Sequence, residues 1–283
     1  MFRRTVDDYI KGATHLPPAP RILPQLLILL NQPNADSGRL VELIAHDPGL
    51  TASVLRLCNS ALLGNALPAS DLREAVTRLG FTQVFRLVAA ISGAPALTPA
   101  QPGYGFSVGE LWRHSVTAAV AAQMVARQLQ ENDTLVFTAT LLHDIGKVIL
   151  ANALRPLHPK LHRSVEQSYA SMLEAEEELL GVQHADTGAR LLELWKFPEN
   201  LAQAVRFHHD PLASRPHERL ASLVYLGNLL AYLIGQGYGL YPFALRHRVE
   251  AMEILELDPR ELPRLMMRTV EELELVEALF HPG

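Results

Sequence analysis

Apolar residues recur three and four apart in segment after segment of this chain, and little of it alternates apolar with polar. That spacing puts the apolar side chains on one face of an α-helix and gives a strand no consistent buried face. "RLVELIAHDPGLTASVLRLCNSALLG" (39–64) shows the pattern, broken once at Asp47-Pro48. Asp47 is the expected cap of a second helix there, with Pro48 at the first helical position, where a missing N–H costs nothing. In "SDLREAVTRLG" (70–80), Ser70 is the expected cap, Leu72, Ala75, Val76 and Leu79 form the stripe, and Gly80 ends it. "LDPRELPRLMMRTVEELELVEALF" (257–280) opens with Asp258, Pro259 and Glu261 in capping-box positions. The expected architecture is all-α, a two-lobed helical bundle.

The lobes divide as follows. Residues 1–20 read as irregular, ending in "LPPAP", and residues 1–95 as a whole form an N-terminal helical lobe. "GAPALTPAQPGYG" (93–105) is rich in Pro, Gly and Ala and uncharged, so residues 96–106 read as a linker. Residues 107–235 form a second helical bundle and 236–283 a C-terminal helical extension. The linker is too short and uncharged to hold the lobes apart, so they are expected to pack as one unit.

At 48% hydrophobic and 19% charged, the 283 residues describe a globular protein with a sizeable core. The formal charge of −5 argues against general nucleic-acid binding. Cys58 is the single cysteine, which allows no disulfide within the chain and fits a reducing compartment. "MFRRTVDDYI" lacks the apolar core of a secretory signal, and "LPQLLILL" is too short to cross a bilayer. A cytoplasmic location is the expectation. There is no internal repeat, glycine-rich phosphate loop or nucleophile elbow.

Five of the twelve histidines stand in helical context in the second lobe: His114, His143, His184, His208 and His209. Glu110 and His114 are four apart and share a helix face. His143 and Asp144 sit inside the apolar run "LLHDIGKVIL" (141–150), either as ligands or as a solvent-facing polar step. His184 opens "HADTGARLLELW", whose stripe of Ala185, Ala189, Leu192 and Trp195 would hold its first turn against the core. His208 and His209 close the next helix at "FHHDP", where Pro211 stops it. Four segments thus bring a metal-type side chain toward one interior, the way helical bundles build metal sites. A histidine-rich set prefers Fe, Mn or Zn over Mg or Ca. His15, His46, His158, His162, His217, His247 and His281 read as surface residues. Glu176-Glu177-Glu178 reads as a solvated face, and Asn59-Ser60 as a helix-end turn.

"LLHDIGKVIL", preceded by His114 and followed by "HADTGARLLELWKFPENLAQAVRFHHDP", resembles the HD superfamily of metal-dependent phosphohydrolases. With "LIAHDPGLTASVLRLCNSALLG" and "LREAVTRLGFTQVFRLV" ahead of it, the chain resembles more narrowly the HDOD output domains of bacterial signalling proteins, over about residues 15–235. The resemblance implies an HD-type core in the second lobe. The superfamily's first ligand histidine corresponds to His114, and its His-Asp pair to His143 and Asp144. The HD-GYP branch, which hydrolyses cyclic dinucleotides, adds histidines that correspond to His184, His208 and His209. Glu110 holds the place of a glutamate found one turn before the first histidine in some members. Lys147 matches the lysine that contacts substrate phosphate, which makes Lys147 and Asp144 the implied catalytic pair.

Two departures matter. The closing aspartate of the superfamily corresponds to Asn228 in "LVYLGNLLAYL", or to Gly227 if the register is one off, and the GYP motif is missing after "FHHDPLASRP". With Asn228 neutral, only Glu110 and Asp144 are anionic ligands, so the expectation is one metal held firmly or two held loosely. The implied function is a regulatory signalling output that acts through protein–protein interaction, with a degenerate HD metal site. The implied cofactor is a divalent transition metal, Fe, Mn or Zn. The implied partner is a signalling protein, with a nucleotide as candidate ligand and neither membrane nor nucleic acid involved. The alternative is a metal-dependent phosphohydrolase acting on a nucleotide or cyclic dinucleotide phosphodiester. A third reading is a helical scaffold whose old site is merely structural.

Overall fold

In a computed structural model of the chain, residues 4–13, 20–30, 37–59, 69–168, 171–236 and 247–280 are described. The first half holds α1 (Val6–Gly12), α2 (Ile22–Leu30), α3 (Ser37–Ala45), α4 (Pro48–Cys58), α5 (Leu72–Leu79) and α6 (Phe81–Leu97). Next come α7 (Glu110–Gln128), α8 (Asp133–Leu141), α9 (Ile145–Leu154), α10 (His158–Ser168) and α11 (Met172–Leu180). The last are α12 (His184–Leu194), α13 (Glu199–Arg206), α14 (Glu218–Leu233), α15 (Arg248–Ile254) and α16 (Leu262–Phe280). Among the described residues there is no strand, only an isolated bridge between Gln101 and Phe106.

Local chemistry sets the helix ends. Asp47 Oδ1 accepts the Leu50 N–H at 3.0 Å, so α4 starts at Pro48 as its sequence requires. The cap of α5 is Asp71 rather than Ser70. The Asp71 carboxylate accepts the Glu74 N–H at 2.8 Å, while Ser70 gives its own N–H and hydroxyl to Glu74 Oε2. Asp258 and Glu261 form the expected capping box ahead of α16. Residues 1–20 are not irregular throughout: Thr5 and Asp8 form a capping box that starts α1. That helix docks through Asp7 on Arg190 at 2.9 Å and the Tyr9 hydroxyl on the Leu180 carbonyl at 3.1 Å. Asn59 ties the end of α4 to the Ala69 backbone, donating to its carbonyl and accepting from its N–H. Ser60, His15 and His281 lie outside the described residues.

The uncharged stretch after residue 93 is not a spacer. Helix α6 runs through Pro95 to Leu97, and residues 98–109 fold into a tight loop with Tyr104 and Phe106 buried. Gly103 lies so close to the second lobe that a Cβ there would sit 2.1 Å from the Ala151 carbonyl oxygen. The loop is anchored by Gln101, Gly103, Tyr104 and Phe106, which are buried while the residues between them face solvent, and its composition in sequence looks like a linker. One continuous core joins Leu23, Leu40 and Ile44 of the N-terminal helices to Phe85 and Val88 of α6, then Leu141, Ile145 and Val205 of the second lobe. A second cluster seats α15 and α16 on α7 and α14. The apolar run Asp133–Ser164 is long and apolar enough to cross a membrane, but it bends through α8, α9 and α10 and most of it is buried inside the fold.

Two helix crossings are set by glycine. A Cβ on Gly146 of α9 would fall 1.9 Å from the His184 carbonyl oxygen and 2.6 Å from the Gly188 nitrogen of α12. A Cβ on Gly227 of α14 would fall 2.5 Å from the Ala118 carbonyl oxygen of α7. Neither neighbour is a side chain that can swing away. Gly146→Ala is therefore expected to lower unfolding stability by about 2–3 kcal/mol or more in urea titration, an overpacking cost. Gly12→Ala, where nothing lies within 4 Å, is expected to be neutral or slightly stabilising.

Candidate metal centre

Asp144 stands at the centre of the histidines. It follows the turn that ends α8 and is fully buried at the start of α9. Its Oδ2 lies 3.4 Å from His143 Nε2 and 3.7 Å from His114 Nε2; its Oδ1 lies 3.3 Å from His184 Nε2 and 3.8 Å from His208 Nε2. His209 completes the far side, its Nε2 3.1 Å from that of His184. Two groups of candidate donors result, His114–His143–Asp144 and His184–His208–His209, each with its donor atoms within 4.8 Å of one another. All five histidines singled out by spacing converge.

Four of the rings are held from behind. His143 Nδ1 meets the Thr140 carbonyl at 2.6 Å, His208 Nδ1 the Val205 carbonyl at 2.6 Å, and His114 Nδ1 the Gln236 carbonyl at 2.9 Å. His184 Nδ1 meets both oxygens of Glu176 at 2.9 Å. An acceptor at Nδ1 calls for the proton there, which leaves the Nε2 lone pairs of neutral rings turned inward. The Nε2 atoms of His114, His143 and His208, and Oδ1 of Asp144, are buried with no hydrogen bond to any described residue. Buried acceptors without a donor are costly, and here they face one another. That arrangement fits a divalent cation.

The electrostatics agree. Burial pushes the His114 imidazole down to about 4, with His143 beside it adding to the drop. Burial lowers His143 as well, and takes His208 and His209 well below the ordinary imidazole range. These rings are neutral and free to donate a lone pair. His184 goes the other way: burial would lower it, but the Glu176 charge and the carboxylates of Asp144 and Glu176 beside its ring together raise it. Burial would raise the Asp144 carboxyl, yet His143, Lys147 and His184 together hold it well below the usual carboxylate range. Burial would likewise lower Lys147, but Asp144, 2.6 Å from its Nζ, raises it.

Glu176 is the site residue that sequence reasoning missed. Far from being solvated, it is 0% exposed and accepts from the Tyr104 hydroxyl at 2.7 Å, the His184 backbone N–H at 2.7 Å and His184 Nδ1. A signal existed: Met172, Ala175, Glu176 and Leu180 share the buried face of α11 at helical spacing, whereas Glu178 is exposed. Conversely, Glu110 has the expected place one turn before His114, but its Oε2 accepts the Ser107 N–H at 2.7 Å and it joins neither donor group. Asn228 is buried on α14 with Oδ1 lacking a hydrogen bond to any described residue, four residues before Tyr232, whose ring lies 5.1 Å from that of His114. It too joins neither donor group. Gly227 has no room for a carboxylate, since a Cβ there would already fall 2.5 Å from the Ala118 carbonyl oxygen. His158, His162, His217 and His247, read as surface residues, are half-buried, and His158 Nδ1 meets the Gly103 carbonyl at 3.1 Å. His46 is exposed.

Outer partners of a ligating histidine typically change metal affinity by about 10–100-fold. Glu176→Gln is therefore expected to weaken binding of a transition metal by roughly that factor in competition with a chromophoric chelator. Affinity equal to that of the unaltered chain would mean that Glu176 does not orient His184.

Comparison with known proteins places this geometry. The family profile of the HDOD domain matches residues 16–211. A solved structure from Marinobacter aquaeolei VT8, assigned as a signal transduction protein, is 27% identical with a TM-score of 0.75, covering 99% of this chain and 61% of that one. Another from Shewanella amazonensis SB2B, assigned as a phosphohydrolase, is 25% identical with a TM-score of 0.69, covering 96% and 97%. An uncharacterised protein of Treponema pallidum (strain Nichols) is 25% identical over 225 residues, 78% of this chain and 43% of that protein. The chain thus spans less than two thirds of the Marinobacter and Treponema relatives. The fold is all-α with an HD-type, phosphohydrolase-like core. With the family match extending from the N-terminal helices across the whole histidine cluster, the chain belongs to the HDOD domain family.

Proposed function

We propose that this chain is a regulatory signalling module that acts by contact with a partner protein, and that its histidine centre holds a transition metal, Fe, Mn or Zn, in a structural role. The observation that carries this reading is burial. His143, His184 and His208 have no exposed surface, His114, Asp144, Lys147 and Asn228 have almost none, and His209 is partly exposed. Catalytic metal sites keep a position open to water and substrate, whereas closed sites are structural. A divalent cation bound here would supply the positive charge toward which the lone pairs and the Asp144 carboxylate are turned. The chain's own residues do the rest. The groups around the centre come from α7 (His114), the α8–α9 turn (His143 and Asp144), the start of α12 (His184) and the end of α13 (His208 and His209). Likeness to a signal transduction protein longer than the matched region supports a module that works beside other segments.

The phosphohydrolase reading is favoured by one observation, the Lys147–Asp144 pair in the position the HD-GYP branch uses. Against it, the Lys147 ammonium is bonded to Asp144 and lies 6.0 Å and 5.8 Å from the Tyr104 and Phe106 ring centroids. Among the described residues of the centre, Lys147 is thus engaged and not free to meet phosphate oxygens. Metal-loaded protein is expected to show no turnover of a chromogenic phosphodiester or a cyclic dinucleotide above that of Asp144→Ala. Turnover that Asp144→Ala abolishes would establish the hydrolase instead. Stripping the metal is expected to lower the unfolding temperature by about 5–10 °C, the shift that a ligand at many times its Kd gives a chain of this size. An unmoved transition would contradict a structural metal.

A further inference from the structure

We infer that this centre is built for one metal ion rather than two, because Lys147 already serves as the second cation; the inference rests on the cluster being a metal centre. The two oxygens of Asp144 have different surroundings. Oδ1 faces His184 and His208 and makes no hydrogen bond to any described residue. Together with His209, whose Nε2 lies 3.1 Å from that of His184, this side offers three imidazoles, with the Asp144 carboxylate oxygen within 3.8 Å of two of them. Such a donor set suits a four-coordinate transition metal.

Oδ2 is already taken. Lys147 Nζ lies 2.6 Å from it, a charge-assisted hydrogen bond at full strength. An ion held by His114, His143 and Oδ2 would have to share that oxygen with an ammonium group, in a buried setting where water does not screen the repulsion. The lysine has little room to withdraw. It is itself buried, its head lies against the rings of Tyr104 and Phe106, and the helix it stands on is wedged at Gly146. Charge balance points the same way. Among the described residues, Asp144 and Glu176 are the carboxylates at the cluster, Glu110 is bonded to the Ser107 amide, and the neutral Asn228 stands where the resemblance expects a closing carboxylate. Two dications plus an ammonium would far exceed two carboxylates; one dication plus an ammonium nearly matches them.

The ion therefore belongs to His184, His208, His209 and Asp144 Oδ1, while His114 and His143 pack beside Lys147 as neutral rings. Titration of the chelator-stripped full chain with Co2+, followed by absorption and elemental analysis, tests this. The expected end point is one equivalent. His209→Gln is expected to weaken binding by roughly 10-fold or more, and His114→Gln by no more than about 3-fold. Lys147→Met, which keeps length and removes charge, is expected to admit a second equivalent. Two equivalents in the unaltered chain, equal losses in the two histidine variants, or a folded Lys147→Met that still takes one equivalent would each overturn the proposal. If Lys147→Met does not fold, the histidine pair still decides. Binding of no Co2+ at all would instead refute the metal centre itself.

Discussion

The start of α9 crosses the start of α12 at backbone contact, with Gly146 against the His184 carbonyl and the Gly188 amide. No other residue type leaves that distance open. Because the two helices meet there, Asp144, two residues before Gly146, comes within 3.3 Å of His184, which opens the facing helix. The crossing also buries Asp144 completely, and a buried carboxylate is tolerated only with opposite charge or hydrogen-bond donors around it. Lys147, one turn along α9, and the surrounding imidazoles meet that need. The polar interior therefore follows from one small contact made without a side chain.

The surrounding structure acts on the same centre. Backbone carbonyls hold three rings at Nδ1 and Glu176 holds the fourth, so the direction of those four lone pairs is set before any ligand arrives. The loop 98–109 contributes Tyr104, which bonds Glu176 and also lies beside the Lys147 head. That loop links the end of α6, whose side chains share the core of the N-terminal helices, to a wall of the centre. A change in the packing of the N-terminal half thus has a short physical route to His184.

Much of this was legible in the sequence, for identifiable reasons. Apolar spacing and the caps at Asp47, Gly80 and Asp258 fixed the helices, because those signals act within a single turn of chain. The five histidines were legible because each stands near a helix end in an otherwise apolar context. What failed was whatever depended on distant neighbours. Glu176 was hidden among adjacent acids, and only the buried stripe of α11 distinguishes it from Glu178. Pro, Gly and absent charge describe a free linker and a loop anchored on the core equally well, and the buried aromatics Tyr104 and Phe106 were the residues that told them apart. Glu110 had the right spacing, but the nearby Ser107 amide took its carboxylate, a local bond that spacing does not reveal.

The central claim is that imidazoles of this chain, oriented from behind, enclose a transition metal. X-ray absorption at the metal edge of loaded protein measures that directly. The account expects a nitrogen- and oxygen-rich shell at about 2.0–2.1 Å, with the multiple-scattering signature of about three imidazole rings. A shell of oxygen alone, as an ion bound by surface carboxylates and water would give, contradicts it.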